Sequence, residues 1–346
     1  MKTTAAILTE IKKPLKIEEM TIPPLKDGQV LVKVAYSGIC HSQLNEINGL
    51  KGDDKFLPHT LGHEGSGIVL ETGPKVTKVQ KDDHVVLTWI KGKGCDVPSA
   101  QYLRKDGAIV NSGAISTFLT HAVISENRIV PITKKMPLKH AALLGCAVPT
   151  GAGIVLNTAK VKIENSIAVF GCGGIGFSAI LAAKMVGAAV IIAIDIRDQK
   201  LKQAIEIGAT HIINASKHNI LDAIQSITNG KGVDISIESA GQKEVMEKAF
   251  KSVKDKGGLC VLAGNLPYGQ NISIDPFDLI NGKRIIGTWG GETDPDRDIV
   301  SYAQKYLTGM LNLDFFTSNT RKLSEINEAI ESFSNGFVNR VLIEMA

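Results

Sequence analysis

Apolar and polar positions change rhythm once along this chain. Up to about position 130, short runs rich in β-branched residues are broken by Gly, Pro and Asp, as in Gln29-Val30-Leu31-Val32-Lys33-Val34 and Asp83-His84-Val85-Val86-Leu87-Thr88. Such runs predict strands, and little here recurs at the helical period. The first part is expected to be β-rich, a barrel or a sandwich. After Thr150, wholly apolar runs alternate with helix-length segments. Residues 166–170, 188–194, 210–214, 233–237 and 259–263 read as strands, and 175–186, 199–207, 220–227 and 244–253 as helices. Strands without a polar face belong in a parallel sheet covered by helices on both sides, so this region predicts a doubly wound α/β sheet with right-handed crossovers. Beyond Trp289 the alternation stops. Residues 298–311 and 325–333 read as helices, with Ile326, Ile330 and Phe333 on one face of the second, and 340–343 as a closing strand. That tail is too small for a core of its own and is expected to return to the β-rich region.

Length suits this two-part reading, since 346 residues exceed one simple core. The composition, 44% apolar and 21% charged, is that of an ordinary soluble chain. A net charge of +4, without runs of one sign, gives no reason to expect nucleic acid or a membrane surface as partner. The N-terminal apolar stretch turns polar at Thr9-Glu10, too soon for a secretory signal, and no window is apolar enough to span a bilayer. A cytoplasmic location is expected. Cys40, Cys95, Cys146, Cys172 and Cys260 are few, odd in number and scattered, which excludes a secreted disulfide framework and leaves reduced thiols.

Gly171-Cys172-Gly173-Gly174-Ile175-Gly176 fits G-x-G-x-x-G between a predicted strand and a predicted helix, and Asp195 ends the next strand nineteen residues after Gly176. Glycines at Gly171, Gly173 and Gly176 permit a tight turn and close approach of backbone N–H groups to a pyrophosphate, with Gly174 and Ile175 opening the helix that receives it. Asp195 would accept hydrogen bonds from ribose hydroxyls and repel a 2′-phosphate, favouring NAD over NADP, although Arg197 nearby could meet such a phosphate. The bland alternative is a glycine-rich turn that binds nothing.

Three further segments set Cys or His beside Gly: Gly38-Ile39-Cys40-His41-Ser42, Gly62-His63-Glu64-Gly65 and Leu144-Gly145-Cys146-Ala147. They lie too far apart for a local zinc clip. Two thiolates and one imidazole leave a fourth position open, as a catalytic zinc requires, whereas a lone Cys or His is more often plain core.

These segments, followed by the dinucleotide fingerprint, together resemble the zinc-dependent alcohol dehydrogenases of the medium-chain dehydrogenase/reductase family, nearly end to end. The resemblance implies a β-rich, GroES-like barrel catalytic domain built from residues 1–148 and 290–346, and a Rossmann NAD-binding domain over 149–289. It implies Cys40, His63 and Cys146 as ligands of one catalytic zinc, Glu64 as a carboxylate that can approach the metal, and Ser42 as the hydroxyl that hydrogen-bonds the bound alcohol. His41 and Arg340, the latter within Asn339-Arg340-Val341, match positions that contact the NAD pyrophosphate. Thr150 matches a threonine packed on the nicotinamide. Lys200 matches a lysine near the adenosine ribose, or else belongs to a solvated helix face. Trp89 and Trp289 match substrate-pocket positions, with core filling as the alternative for each. Residues 271–287, with strand-like Lys283-Arg284-Ile285-Ile286, match the region through which such Rossmann domains pair, implying a homodimer or homotetramer.

Three departures stand out. The first three positions of a four-cysteine structural zinc read Lys93, Asp96 and Ser99, with only Cys95 nearby and out of phase, so no structural zinc is expected; a Lys93–Asp96 ion pair is the expected substitute. Asn45 stands where many relatives end a proton relay in histidine, and an amide does not titrate there. Gln43 stands where an aspartate supports the ligand histidine, and a neutral amide should raise its basicity less. The expected activity is zinc-dependent, NAD-linked oxidation of an alcohol to an aldehyde or ketone. The alternatives are a specialised alcohol, such as a hydroxymethyl-thiol adduct or sugar derivative, and a zinc-free NAD-binding relative with a sensory or structural role.

Overall fold

The ten-residue strand Gln29–Gly38 buries Val30, Val32 and Val34 and pairs antiparallel with Glu64–Thr72, His121–Ser125 and Leu342–Glu344. His84–Thr88, Ile129–Ile132 and Thr320–Lys322 extend this to a seven-stranded sheet. Lys2–Leu8, Lys16–Thr21, Gln101–Leu103, Ile109–Ser112 and His59–Thr60 close a small barrel beside it. One apolar core serves both, including Ile7, Val32, Val69, Leu87, Phe118, Phe333 and Ile343. The chain's last strand therefore completes its first sheet, with Leu342 opposite Gly38. This computed structural model describes every residue except Ala114, Phe337, Asn339 and Ala346, so Asn339 of the C-terminal arginine motif lies outside the described residues.

The chain divides into two units, Met1–Cys146 with Asp294–Ala346, and Ala147–Thr293. The junctions fall there because helix Ala147–Gly153 belongs to the second unit, where Pro149 O accepts a 2.9 Å hydrogen bond from Thr293 Oγ1. The second unit holds six parallel strands in the order His211–Asn214, Val190–Asp195, Ser166–Phe170, Ile235–Glu238, Leu259–Leu262, Arg284–Gly287. Phe170, Ile192, Ile194, Ile213, Ile224 and Phe250 form part of one of its cores, which is why these strands read as apolar throughout. The order reverses direction at Ser166–Phe170, the crevice where doubly wound sheets bind nucleotides.

Two expectations shift in detail. The helix read at 298–311 is Pro295–Leu307, because Asp294 caps it by accepting from the backbone N–H groups of Asp296 and Arg297, and Pro295 suits its first position. Val233 makes only an isolated bridge to Val253, so its strand starts at Ile235. Short helices His41–Ile47, Leu138–Ala141 and Ala147–Gly153 were not legible, being about two turns or less and lacking a full apolar period. Among the described residues no single helix is long and apolar enough to cross a membrane.

Candidate metal centre and dinucleotide loop

Cys40 immediately precedes helix His41–Ile47, His63 immediately precedes strand Glu64–Thr72, and Cys146 follows the 3₁₀ turn Ala142–Gly145. Pairing of Gln29–Gly38 with Glu64–Thr72, and a 2.7 Å hydrogen bond from Thr88 Oγ1 to Gly145 O, bring the three segments together. Their ligand atoms all lie within 4.8 Å of one another, and His63 Nε2 is 3.1 Å from Cys146 Sγ. Two sulfurs and one imidazole nitrogen this close fit the donor set of a three-ligand zinc site with its fourth position open. The glycines beside the ligands have a steric reason: a Cβ on Gly38 would fall 1.7 Å from Glu64 Oε1, and one on Gly145 would fall 2.8 Å from Glu64 Cβ.

The two thiols differ sharply. A hydrogen bond from Cys146, against the opposing effect of burial and with help from His63, holds the Cys40 thiol well below its ordinary value. The same contact, together with burial, pushes Cys146 well up. Beneath them, Glu64 is fully buried and paired with the equally buried Arg340. Burial raises the Glu64 carboxyl even though Arg340 opposes the rise, and Glu64, with both cysteines, holds Arg340 charged in spite of its burial. The sequence held no sign of this pair. Arg340 Nε has no hydrogen-bond partner among the described residues.

Gln43 is buried between two of the ligands. Its Oε1 accepts the Cys40 N–H at 2.9 Å and its Nε2 contacts His63 Nδ1. Ser42 and Asn45 sit half-buried on the same helix, and the exposed His41 ring lies 4.7 Å from that of Phe333. Trp89 is half-buried against the barrel core, whereas Trp289, in the other unit, is 74% exposed, so core filling does not account for it.

The lobe after Trp89 is not held as expected. Asp96 pairs with Lys91 at 2.7 Å, while Lys93 donates its backbone N–H to Asp296 at 2.6 Å. The stronger tie is the buried Glu126, which accepts from the backbone N–H groups of Thr77, Lys78 and Cys95 at 2.5, 2.7 and 2.7 Å. Burial opposes the charge on Glu126, but these N–H groups hold its carboxyl below the usual value. Lys78 joins the lobe by pairing with Asp296. Sequence spacing offered no hint of Glu126 or Asp296, because each acts from a distant segment.

In the second unit, helix Gly174–Val186 begins at Gly173 without any side-chain cap, leaving its first N–H groups directed at the loop. A Cβ on Gly176 would lie 1.9 Å from Gly171 O, while Gly173 faces open space. Asp195 is fixed at its strand end, its two carboxylate oxygens accepting from Cys172 N at 2.8 Å and Arg197 N at 3.0 Å. Thr150 is buried on helix Ala147–Gly153, its hydroxyl without a hydrogen-bond partner among the described residues. Lys200 is half-buried on helix Asp198–Ile207. Cys172 and Cys260 are fully buried packing residues, burial pushing the Cys260 thiol up to about 12.

Residues 26–134 match the alcohol dehydrogenase GroES-like domain, and residues 174–305 the zinc-binding dehydrogenase family. An S-(hydroxymethyl)glutathione dehydrogenase of Synechocystis sp. is 35% identical over 364 aligned residues, covering 97% of this chain and 98% of that protein. Among solved structures, an alcohol dehydrogenase zinc-binding domain protein from Burkholderia ambifaria matches with a TM-score of 0.92 at 31% identity, covering 100% of this chain and 99% of that one. Benzyl alcohol dehydrogenase from Acinetobacter calcoaceticus matches with a TM-score of 0.91 at 31% identity, with 100% of both chains covered. With its Cys–His–Cys cluster and near full-length similarity, the chain belongs to the zinc-binding alcohol dehydrogenases of the medium-chain dehydrogenase/reductase family.

Proposed function

We propose that this protein oxidises an alcohol to an aldehyde or ketone, reversibly, with one zinc per chain and NAD as hydride acceptor. The observation that carries the reading is the convergence of Cys40, His63 and Cys146 within 4.8 Å. When bound, zinc supplies Lewis-acid polarisation of the alcohol or carbonyl oxygen, and NAD supplies the redox chemistry. The chain's own residues do the rest. Cys40, His63 and Cys146 hold the metal and leave one position for substrate oxygen. Ser42, in the first turn after Cys40, takes the substrate hydroxyl's hydrogen bond. Asn45, an amide, cannot take up the departing proton, so on this helix Ser42 would be the group that holds it in a hydrogen bond. The loop Gly171, Gly173, Gly174, Ile175 and Gly176 holds the pyrophosphate, and the carboxylate of Asp195 selects NAD over NADP. The roles of His41, Arg340, Thr150, Lys200, Glu64, Trp89 and Trp289 toward cofactor, metal and substrate belong to the same proposal. So does pairing of two chains through residues 271–287, supported by the exposed Phe277 and Ile280 and by an edge strand, Arg284–Gly287, paired on one side. A lobe held by Glu126 and Asp296, with Cys95 its single thiol, supports zinc at one site only.

A hydroxymethyl-thiol adduct is the second substrate reading, supported by a relative of that specificity at 35% identity. NAD reduction measured across primary, aromatic and polyol alcohols and S-(hydroxymethyl)glutathione decides between them. Metal analysis should find one zinc per chain. Cys40→Ser should lose that zinc and reduce turnover by roughly 10²–10³-fold or more, as removal of a group stabilising transition-state charge does. Full turnover in Cys40→Ser would refute the zinc mechanism.

A further inference from the structure

We propose that Glu238 is a positioning residue for the dinucleotide loop, holding residues 239–241 against Gly171 with a carboxyl that must stay uncharged for the cofactor's pyrophosphate to bind tightly. The proposal rests on the cofactor reading of Gly171, Gly173 and Gly176. Glu238 ends strand Ile235–Glu238 opposite Phe170, the last residue of the strand that leads into the loop. Ser239 donates its backbone N–H to Phe170 O at 2.9 Å, and its hydroxyl reaches the carbonyl oxygens of Phe170 and Gly171 at 3.0 and 2.9 Å. Ala240 lies so close that a Cβ on Gly171 would fall 3.0 Å from its nitrogen. The Glu238 side chain folds back over this turn, with Oε1 accepting from Ala240 N and Gly241 N. One carboxyl oxygen thus fixes the backbone on which the first glycine of the loop rests.

The other oxygen has no such task. Glu238 is fully buried, and its Oε2 has no hydrogen-bond partner among the described residues. Gly264 backs it closely, since a Cβ there would fall 2.6 Å from Oε2. The elements packed around the carboxyl bring it no counter-charge. Strand Ser166–Phe170 has no titratable residue, and Asp195 stands on the far side of that strand. Leu259–Leu262 has only Cys260, a thiol that burial pushes up to about 12, and burial likewise pushes up Cys172 in the loop. Lys243 and Glu244, which open helix Lys243–Ser252, are exposed. A buried carboxylate without a cation is far costlier than the neutral acid, and burial accordingly pushes Glu238 up to about 7. Ionised, it would set a negative charge behind the loop that receives the two charges of a pyrophosphate. Cofactor binding therefore favours the protonated acid, takes up a proton where the free protein has released it, and weakens as pH rises through about 7.

The test is NADH binding to the full, zinc-loaded chain, followed by calorimetry from about pH 6 to about pH 8.5 in buffers of different ionisation enthalpy. Wild type, Glu238→Gln and Glu238→Ala are compared. In wild type the dissociation constant should rise by roughly tenfold over that range, with proton uptake; a unit charge about 12 Å away at an effective dielectric of about 20 is enough for this. Glu238→Gln keeps an oxygen for Ala240 N and Gly241 N without the charge. It should bind as wild type does at the acid end, and lose both the rise and the uptake. Glu238→Ala leaves both N–H groups unpaired and should bind about tenfold more weakly at every pH, as when roughly a tenth of molecules hold the loop ready. A merely structural glutamate would alter stability and leave the proton uptake as it is. Glu238→Gln with the wild-type pH dependence, or Glu238→Ala with wild-type affinity, overturns the proposal. If wild type binds no NADH at any pH, the cofactor reading fails and this inference with it; binding without the pH dependence overturns this inference alone.

Discussion

Glu64 and Glu238 are both fully buried carboxylates, in opposite company. Glu64 faces Arg340, so either group alone would be a buried, unpaired charge. Arg340→Met should destabilise the fold by about 3–5 kcal/mol, the usual cost of breaking such a pair from one side, checked by urea denaturation. Glu238, at the end of the central strand Ile235–Glu238, faces no cation among the described residues; its Oε1 accepts from Ala240 N and Gly241 N, at 2.9 and 2.8 Å. Burial pushes it up to about 7, although those N–H groups oppose the rise. Because its folded value lies above its unfolded one, the native state keeps a proton that the unfolded chain has released. Stability from this group therefore falls as pH rises from about 4.5 to about 7 and is level above that. Glu238→Gln should remove the decline and be more stable than wild type near pH 8, by at most about 3 kcal/mol, with the gap closing toward pH 5. Urea denaturation across that range would show it, and a gap that does not change with pH would count against it.

At the scale of elements, the lobe after Trp89 shows a metal-free way to close a loop. One carboxylate, Glu126, gathers three backbone N–H groups from two segments, and a second, Asp296, gathers Lys93 N and the Lys78 ammonium from a third. Hydrogen bonds to a charged acceptor are individually stronger than neutral ones. Glu126→Ala, which strands three donors, should lower stability by about 2–4 kcal/mol and speed labelling of Cys95 by a thiol reagent. Asp96→Asn should change little, because its partner Lys91 is exposed and such pairs contribute at most about 1 kcal/mol.

For the whole molecule, the proposed pairing of two chains turns on the outer edge of the parallel sheet. Strand Arg284–Gly287 pairs with Leu259–Leu262 on one side, and Phe277 and Ile280, 61% and 76% exposed, lie just before it. An unpaired strand beside apolar side chains is a template for association. Ile280→Asp, on a short surface helix, should shift the protein toward monomer in sedimentation velocity without unfolding it. An unchanged mass would place the contact elsewhere.

Elements whose signals are local can be read from residue order alone. Wholly apolar strands such as 190–195 announced a sheet covered on both faces, and the glycines at 171–176 announced the tight turn from strand to helix, since close backbone approach requires glycine wherever it occurs. The ligand trio was legible as residue types beside glycines, and the resemblance supplied their grouping. Partnerships across long sequence separations emerge only once the chain is packed. Arg340 meets Glu64, Glu126 meets Cys95, and Gln43 stands between Cys40 and His63 because strands far apart in sequence pair in one register. The expected Lys93–Asp96 pair failed for the same reason: Asp296 and Glu126 already hold that turn. Local sequence sets what a segment can form, while side chains that satisfy buried donors and charges take whichever partner the packed fold brings within reach.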